Sequence, residues 1–141
     1  MFKRLSGVHR IEYFPKKAST AMAIGDLLYP DGSGAVQLAD STSGEHVGVC
    51  LKTIASTDDD YSSTTKIPVD VADPNDLWIV DVGTGTATAA LIGTYVDLKD
   101  ENEADVSATS KKVLFVVGFI SSTQIIVKIN STPGVKYIAT S

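Results

Sequence analysis

The chain has 141 residues, a net charge of −5 and a single cysteine. That length suits one domain with its own core, and one cysteine excludes both an intramolecular disulfide framework and a thiolate-only zinc site. No apolar run approaches the roughly 18 residues of a membrane span, and the first residues lack the apolar core of a secretory leader, so the expectation is a soluble protein made in the cytoplasm.

Charge is unevenly spread: residues 1–17 carry +4 and the remainder −9. Within that basic stretch, Phe2, Leu5, Val8, Ile11, Tyr13 and Phe14 follow no clean period, and Gly7 and Pro15 interrupt any helix. Residues 1–21 therefore read as an extended N-terminal arm, mobile when free, with a strand in the domain's own sheet as the other reading. Residues 22–141 read as the β domain.

Val and Ile number 26 against 11 for Leu and Met, a bias toward strands, where β-branched side chains fit a pleated surface. Leu27 to Tyr29 and Ala35 to Ala39 read as a hairpin across Pro30-Asp31-Gly32-Ser33-Gly34, whose glycines accept positive φ. His46 to Ile54 is the next strand, with Cys50 as an inert buried thiol. A polar loop containing Asp58-Asp59-Asp60 leads to an alternating run, Lys66 to Val71, where Pro68 predicts a sheet edge. Leu77 to Val82 has two apolar faces, and the small residues after Gly83 allow one short helical turn. Tyr95 to Lys99 places Val96 and Leu98 inward. Val113 to Ile120 has the continuous apolar character of a central strand, with Gln124 to Ile129 as its hairpin partner. The last residues, from Pro133, read as a tail docking through Tyr137 and Ile138. The expected core contains Val47, Val49, Val80, Val96, Leu98, Leu114, Val116 and Phe119, with Trp78 on a strand that leaves its side open.

A weakened internal repeat organises this order. Ile24-Gly25-Asp26, a Gly/Asp turn, a short alternating run and Val47-Gly48-Val49 return as Ile92-Gly93-Thr94, an acidic turn, Ala104-Asp105-Val106 and Val117-Gly118-Phe119. Ile24 and Ile92 are 68 positions apart, Gly48 and Gly118 are 70 apart. Two copies are too few for a solenoid, which needs about three. The fold class expected is all-β: a small single-domain β-barrel or β-sandwich of two similar halves, with an extended N-terminal arm.

Chemistry-bearing patterns are sparse. Acid–base catalysis would have only His9 and His46 available, and no Gly-x-Ser-x-Gly elbow supports a nucleophile. Asp58-Asp59-Asp60 lacks the alternating spacing of a calcium loop. Gly83-x-Gly85 lacks the third glycine of a dinucleotide fingerprint. An acidic body disfavours nucleic acid. The expectation is a protein that is not an enzyme, with no catalytic, metal or cofactor site.

The frame Ile24-Gly25-Asp26, Asp31-Gly32-Ser33-Gly34-Ala35-Val36 and Val47-Gly48-Val49, with Ile92-Gly93-Thr94-Tyr95-Val96 and Val117-Gly118-Phe119-Ile120, resembles the capsid decoration, or cement, proteins of tailed bacteriophages. The resemblance spans about Ala23 to Asn130. It implies a non-enzymatic virion protein on the outer surface of a phage head that stabilises contacts between major capsid subunits. It also implies assembly as a homo-oligomer, a trimer first and a dimer second, without nucleic acid or membrane as partner. Under that implication the arm supplies the capsid-binding residues Phe2, Lys3, Arg4, Leu5, Arg10, Ile11, Tyr13 and Phe14. The alternatives are a tail- or fibre-associated module and a carbohydrate-binding β-sandwich, the latter poorly served by an aromatic content of 7%.

Overall fold

The computed structural model describes residues 1–131, so the expected docking of Tyr137 and Ile138 lies outside the described residues. Those residues form strands, one short 3₁₀ turn and no α-helix. After β1 (Phe2–Ser6), the first half holds β2 (Ile11–Pro15), β3 (Leu27–Pro30), β4 (Val36–Leu38), β5 (Gly48–Cys50) and β6 (Lys66–Val71). The second holds β7 (Leu77–Thr84), the 3₁₀ turn Ala89–Leu91, β8 (Tyr95–Leu98), β9 (Glu103–Asp105), β10 (Leu114–Ser121) and β11 (Gln124–Ile129).

The two halves have the same topology. Strand order is β2-β6-β5-β3-β4 in the first and β7-β11-β10-β8-β9 in the second, so each strand of one ring has a counterpart in the other. The second ring closes through parallel pairing of β7 with β9, from Asp81↔Glu103 to Thr84↔Asp105. The first closes at the corresponding seam by the parallel bridge Lys16↔Val36, where the Lys17 N–H donates to the Val36 carbonyl at 2.8 Å. The all-β fold of two similar halves is therefore present.

Matching turns explain why the repeat folds twice. In the β3–β4 turn Asp31 Oδ1 accepts the N–H groups of Ser33 at 2.7 Å and Ala35 at 3.1 Å. In the β8–β9 turn Asp100 Oδ1 accepts those of Asn102 and Glu103, both at 3.0 Å. A short carboxylate that bonds the backbone ahead of it nucleates a turn locally. Gly48 meets a different demand, since a Cβ there would overlap the Asp70 carbonyl on β6.

Alternation fills the interiors. On β11, Ile125, Val127 and Ile129 are buried, and on β7 so are Trp78 and Val80. One core includes these with Phe2, Val96, Leu98, Leu114 and Val116, and draws in Leu27, Ala39, Val49 and Ala72 from the first half. The other, within the first ring, collects Met22, Leu28, Val36, Cys50, Ile54, Ile67 and Val69. Adjacent Leu27 and Leu28 thus serve different cores, as neighbouring strand residues must, and the shared core joins the halves. Cys50 is fully buried and desolvation pushes its thiol up to about 11, which leaves it protonated and inert.

Three expectations need correction. Residues 1–21 are not a separate mobile arm: β1 pairs antiparallel with β7, from Phe2↔Val80 to Ser6↔Leu77, and β2 pairs with β6 throughout, from Ile11↔Asp70 to Pro15↔Lys66. The chain's first strand therefore belongs to the second half's sheet and its second strand to the first half's. Pro68 does not mark an edge, because β6 lies between β2 and β5; pairing with β5 ends at Val69, so the proline's missing N–H removes no bond from that ladder.

The third correction is Phe119, which is 39% exposed while the other seven expected core residues and Trp78 are buried. The bulge between Val116 and Gly118 sets Phe119 opposite the buried Ile125, but Phe119 falls at the hairpin end of β10, beyond the cover of the core. Phe119→Ala should accordingly cost under about 1 kcal/mol, against roughly 2–5 kcal/mol for Leu114→Ala, whose side chain is fully enclosed. Urea denaturation of the two variants checks the order.

Candidate functional site

The N-terminal segment, singled out by its charge and its unpatterned apolar residues, is where the two halves are tied together. Arg4 on β1 reaches β6: its Nε donates to Asp70 Oδ2 at 3.0 Å and its Nη2 to Asp70 Oδ1 at 2.8 Å. Nη2 also donates to the Val71 carbonyl at 3.1 Å, and Nη1 pairs with Asp76 Oδ2 at 2.8 Å. The guanidinium lies 4.5 Å from the centroid of the Trp78 ring, a cation–π contact on a buried platform. The Trp78 indole N–H has no hydrogen-bond partner among the described residues, so packing and the cation beside it hold the ring.

Burial works against a charged guanidinium, but hydrogen bonds and charge from Asp70 and Asp76 outweigh it and hold Arg4 above the ordinary arginine value. His9 Nδ1 lies 3.0 Å from Asp70 Oδ2, and Arg10 pairs with Asp73 at 3.3 Å and more distantly with Asp76. This cluster is a staple between sheets.

The eight residues assigned to partner binding separate into two classes. Phe2 is buried in the shared core, Phe14 packs against the first ring's core, and Arg4 is enclosed by Asp70, Asp76 and Trp78. Those three hold the fold. Lys3, Leu5, Ile11 and Tyr13 face outward, and Arg10 is about half exposed while paired with Asp73.

The outward set has a structural origin. The register of β1 shifts between Arg4 and Ser6, leaving Leu5 as the extra residue of a bulge, a device that redirects a side chain. Ile11 and Tyr13 alternate with Glu12 and Phe14, so Phe14 pointing to the core turns Ile11 and Tyr13 away from it. Leu5, Val8, Ile11 and Tyr13 are 48%, 70%, 53% and 63% exposed. These are four large exposed apolar side chains within nine residues, on a segment held by Arg4 and two ladders. Val8 was not among the expected binding residues. Its position three residues from both Leu5 and Ile11 is the only signal the sequence carried, and that spacing suggests a helix.

The basic charge of this segment is largely spent internally. Lys16 is fully buried, donating to the Tyr61 carbonyl at 2.6 Å and the Lys17 carbonyl at 3.2 Å, with its ammonium 5.7 Å from the Tyr61 ring. Burial depresses its pKa, against a smaller opposing pull from Asp60. Lys16 thereby fastens the loop over the first ring at its closing seam.

His46 plays a comparable part across the halves. It is buried, with Nε2 2.9 Å from Ser43 Oγ and Nδ1 3.0 Å from the Asn130 carbonyl, and it bridges Ser131 in parallel. Desolvation lowers its pKa despite the Asn130 carbonyl and the nearby Asp40 and Glu45, so it is a neutral structural pin at neutral pH. The two histidines are thus spent on separate contacts, His9 on Asp70 and His46 on Ser43 and Asn130. Among the described residues no group of three or more His, Cys, Asp or Glu side chains is arranged to hold a metal ion, and no helix is long and apolar enough to cross a membrane.

No protein-family model matches the chain, and no curated protein matches it.

Proposed function

We propose that the chain is a capsid decoration protein of a tailed bacteriophage, one that attaches to the outer surface of the head and stabilises contacts between neighbouring major capsid subunits. The observation that carries the reading is the exposed apolar set Leu5, Val8, Ile11 and Tyr13, on two strands and the link between them, with the strands themselves tied into both halves. Adhesion needs such a surface held in one conformation, because a preformed contact loses less ordering entropy on binding than a flexible arm does. The repeated Gly/Asp frame that resembles the decoration family builds both rings, which supports the same reading. Head positions repeat by symmetry, so a closed homo-oligomer, a trimer before a dimer, gives each copy an equivalent contact and raises the effective concentration of the others.

The test is binding to phage heads stripped of their accessory proteins. The parent chain should bind saturably. The double variant Ile11→Asp/Tyr13→Asp should melt like the parent, since both side chains face outward, and should bind at least about a hundredfold more weakly, as expected for losing two apolar anchors of 1–3 kcal/mol each. Full binding by the double variant, or none by the parent, overturns the proposal.

A further inference from the structure

A second surface lies on the sheet of the second half, and its lining includes none of Leu5, Val8, Ile11 and Tyr13. On the outer face of the β8-β10-β11 sheet, Phe115 is the register partner of Tyr95 on one side and of Lys128 on the other. The two rings meet edge to face, with centroids 5.0 Å apart and planes at 61°. They floor an open hollow of about 520 Å³ whose walls include Pro74, Lys112, Lys128 and Asn130. In a chain of net charge −5, both ionic groups that line this hollow are cations.

The placement of Lys112 is built. Asp97, buried beneath, accepts the N–H groups of Lys111 and Lys112 at 2.9 Å each through Oδ1, and the Ser110 hydroxyl at 3.0 Å through Oδ2. Held this way, Lys112 adopts φ 55°, a left-handed conformation that glycine or asparagine would take with less strain. Its backbone is strained at the rim of an aromatic hollow, whose wall also includes Lys128. Neither lysine has an ion-pair partner among the described residues.

We infer that this hollow is a docking site for an acidic polypeptide segment that inserts an apolar or aromatic side chain between flanking carboxylates. The inserted side chain covers the Tyr95–Phe115 floor, and carboxylates on either side meet Lys112 and Lys128. Other anions fit less well. A nucleic acid would bring a run of phosphates against a body of net negative charge. A sugar ring stacks on an open aromatic face, whereas these two rings are turned edge to face on each other. The inference rests on the hollow's own lining, which includes none of Leu5, Val8, Ile11 and Tyr13, so it does not depend on the capsid reading.

The experiment is titration of the ¹⁵N-labelled chain with an acetylated, amidated Asp-Asp-Phe-Asp-Asp peptide, with Lys-Lys-Phe-Lys-Lys as control. The acidic peptide should give saturable shifts centred on Tyr95, Lys112, Phe115 and Lys128, weakening as salt is raised, and the control should give none. Lys128→Glu should reduce affinity at least tenfold. Lys112→Gly should reduce it several-fold while melting no lower than the parent, because it removes the charge and relieves the backbone together. A purely structural lysine would leave binding unchanged in that variant. Absence of saturable shifts, equal binding of the control peptide, or displacement of the signal to a sulfated oligosaccharide offered in parallel overturns the inference. None of these outcomes bears on head binding, which Ile11 and Tyr13 report.

Discussion

Arg4→Ala should destabilise the protein by about 3–5 kcal/mol, the usual cost of removing one partner from a buried ion pair. The magnitude follows from what is left behind. Asp70 and Asp76 have side-chain exposures of 3% and 8%, and Arg4 itself only 5%, so the mutation strands carboxylates that water reaches poorly. His9 remains 3.0 Å from Asp70 but is one hydrogen bond on a largely exposed ring, a weak substitute for the bidentate fork. Arg4→Lys should recover only part of the loss, since an ammonium cannot make two parallel bonds to Asp70 and reach Asp76 as well. Replacing all three with apolar residues of similar volume should be far milder than Arg4→Ala, because no uncompensated charge would remain. Denaturant unfolding of the three variants gives the comparison; near-equal midpoints for parent and Arg4→Ala would show that the cluster is solvated enough to be dispensable.

How much of this was legible in the sequence depended on the range of the interaction. The Asp31 and Asp100 turns act over two to four residues and left a readable trace, as did the alternation of β7 and β11. Together they were enough for the two-halved fold and seven of eight expected core positions. Phe119 failed because it lies at the hairpin end of β10, past the core's cover, although its register partner Ile125 is buried, and nothing local to a continuous apolar run announces where that cover stops. The N-terminal segment failed for a longer-range reason. Arg4 and Asp70 are 66 positions apart, and a cation in a stretch of +4 looks like surface charge until its acidic partners are placed beside it. Phe2 and Phe14 likewise have no repeating apolar neighbours in the chain, because each completes a core assembled from strands of distant sequence. The hollow over Tyr95 and Phe115 needed the register of three strands, which no local pattern encodes.

A chain beginning at Ala18 should fail to fold at all. A free arm would be dispensable for stability, but this segment contributes two strands to two sheets. Removing β1 exposes the edge of β7 from Leu77 to Val80 and deletes Phe2 from the shared core; removing β2 exposes the edge of β6 and opens the seam at Lys16↔Val36. Phe2 alone has the burial of a residue whose truncation costs roughly 3–5 kcal/mol. The lost ladders of β1 with β7 and of β2 with β6, and the opened seam at Lys16↔Val36, add to that term. Together they weigh heavily against the 5–15 kcal/mol that stabilises an ordinary domain. The shortened chain should show no cooperative thermal transition, while the full chain melts in one. Adding residues 1–17 back as a separate peptide should restore that transition in proportion to peptide concentration, since the two exposed edges and the empty Phe2 position are complementary to it. A shortened chain that melts like the parent would mean that the body closes both rings without these strands, and that the N-terminal segment is free to leave its place.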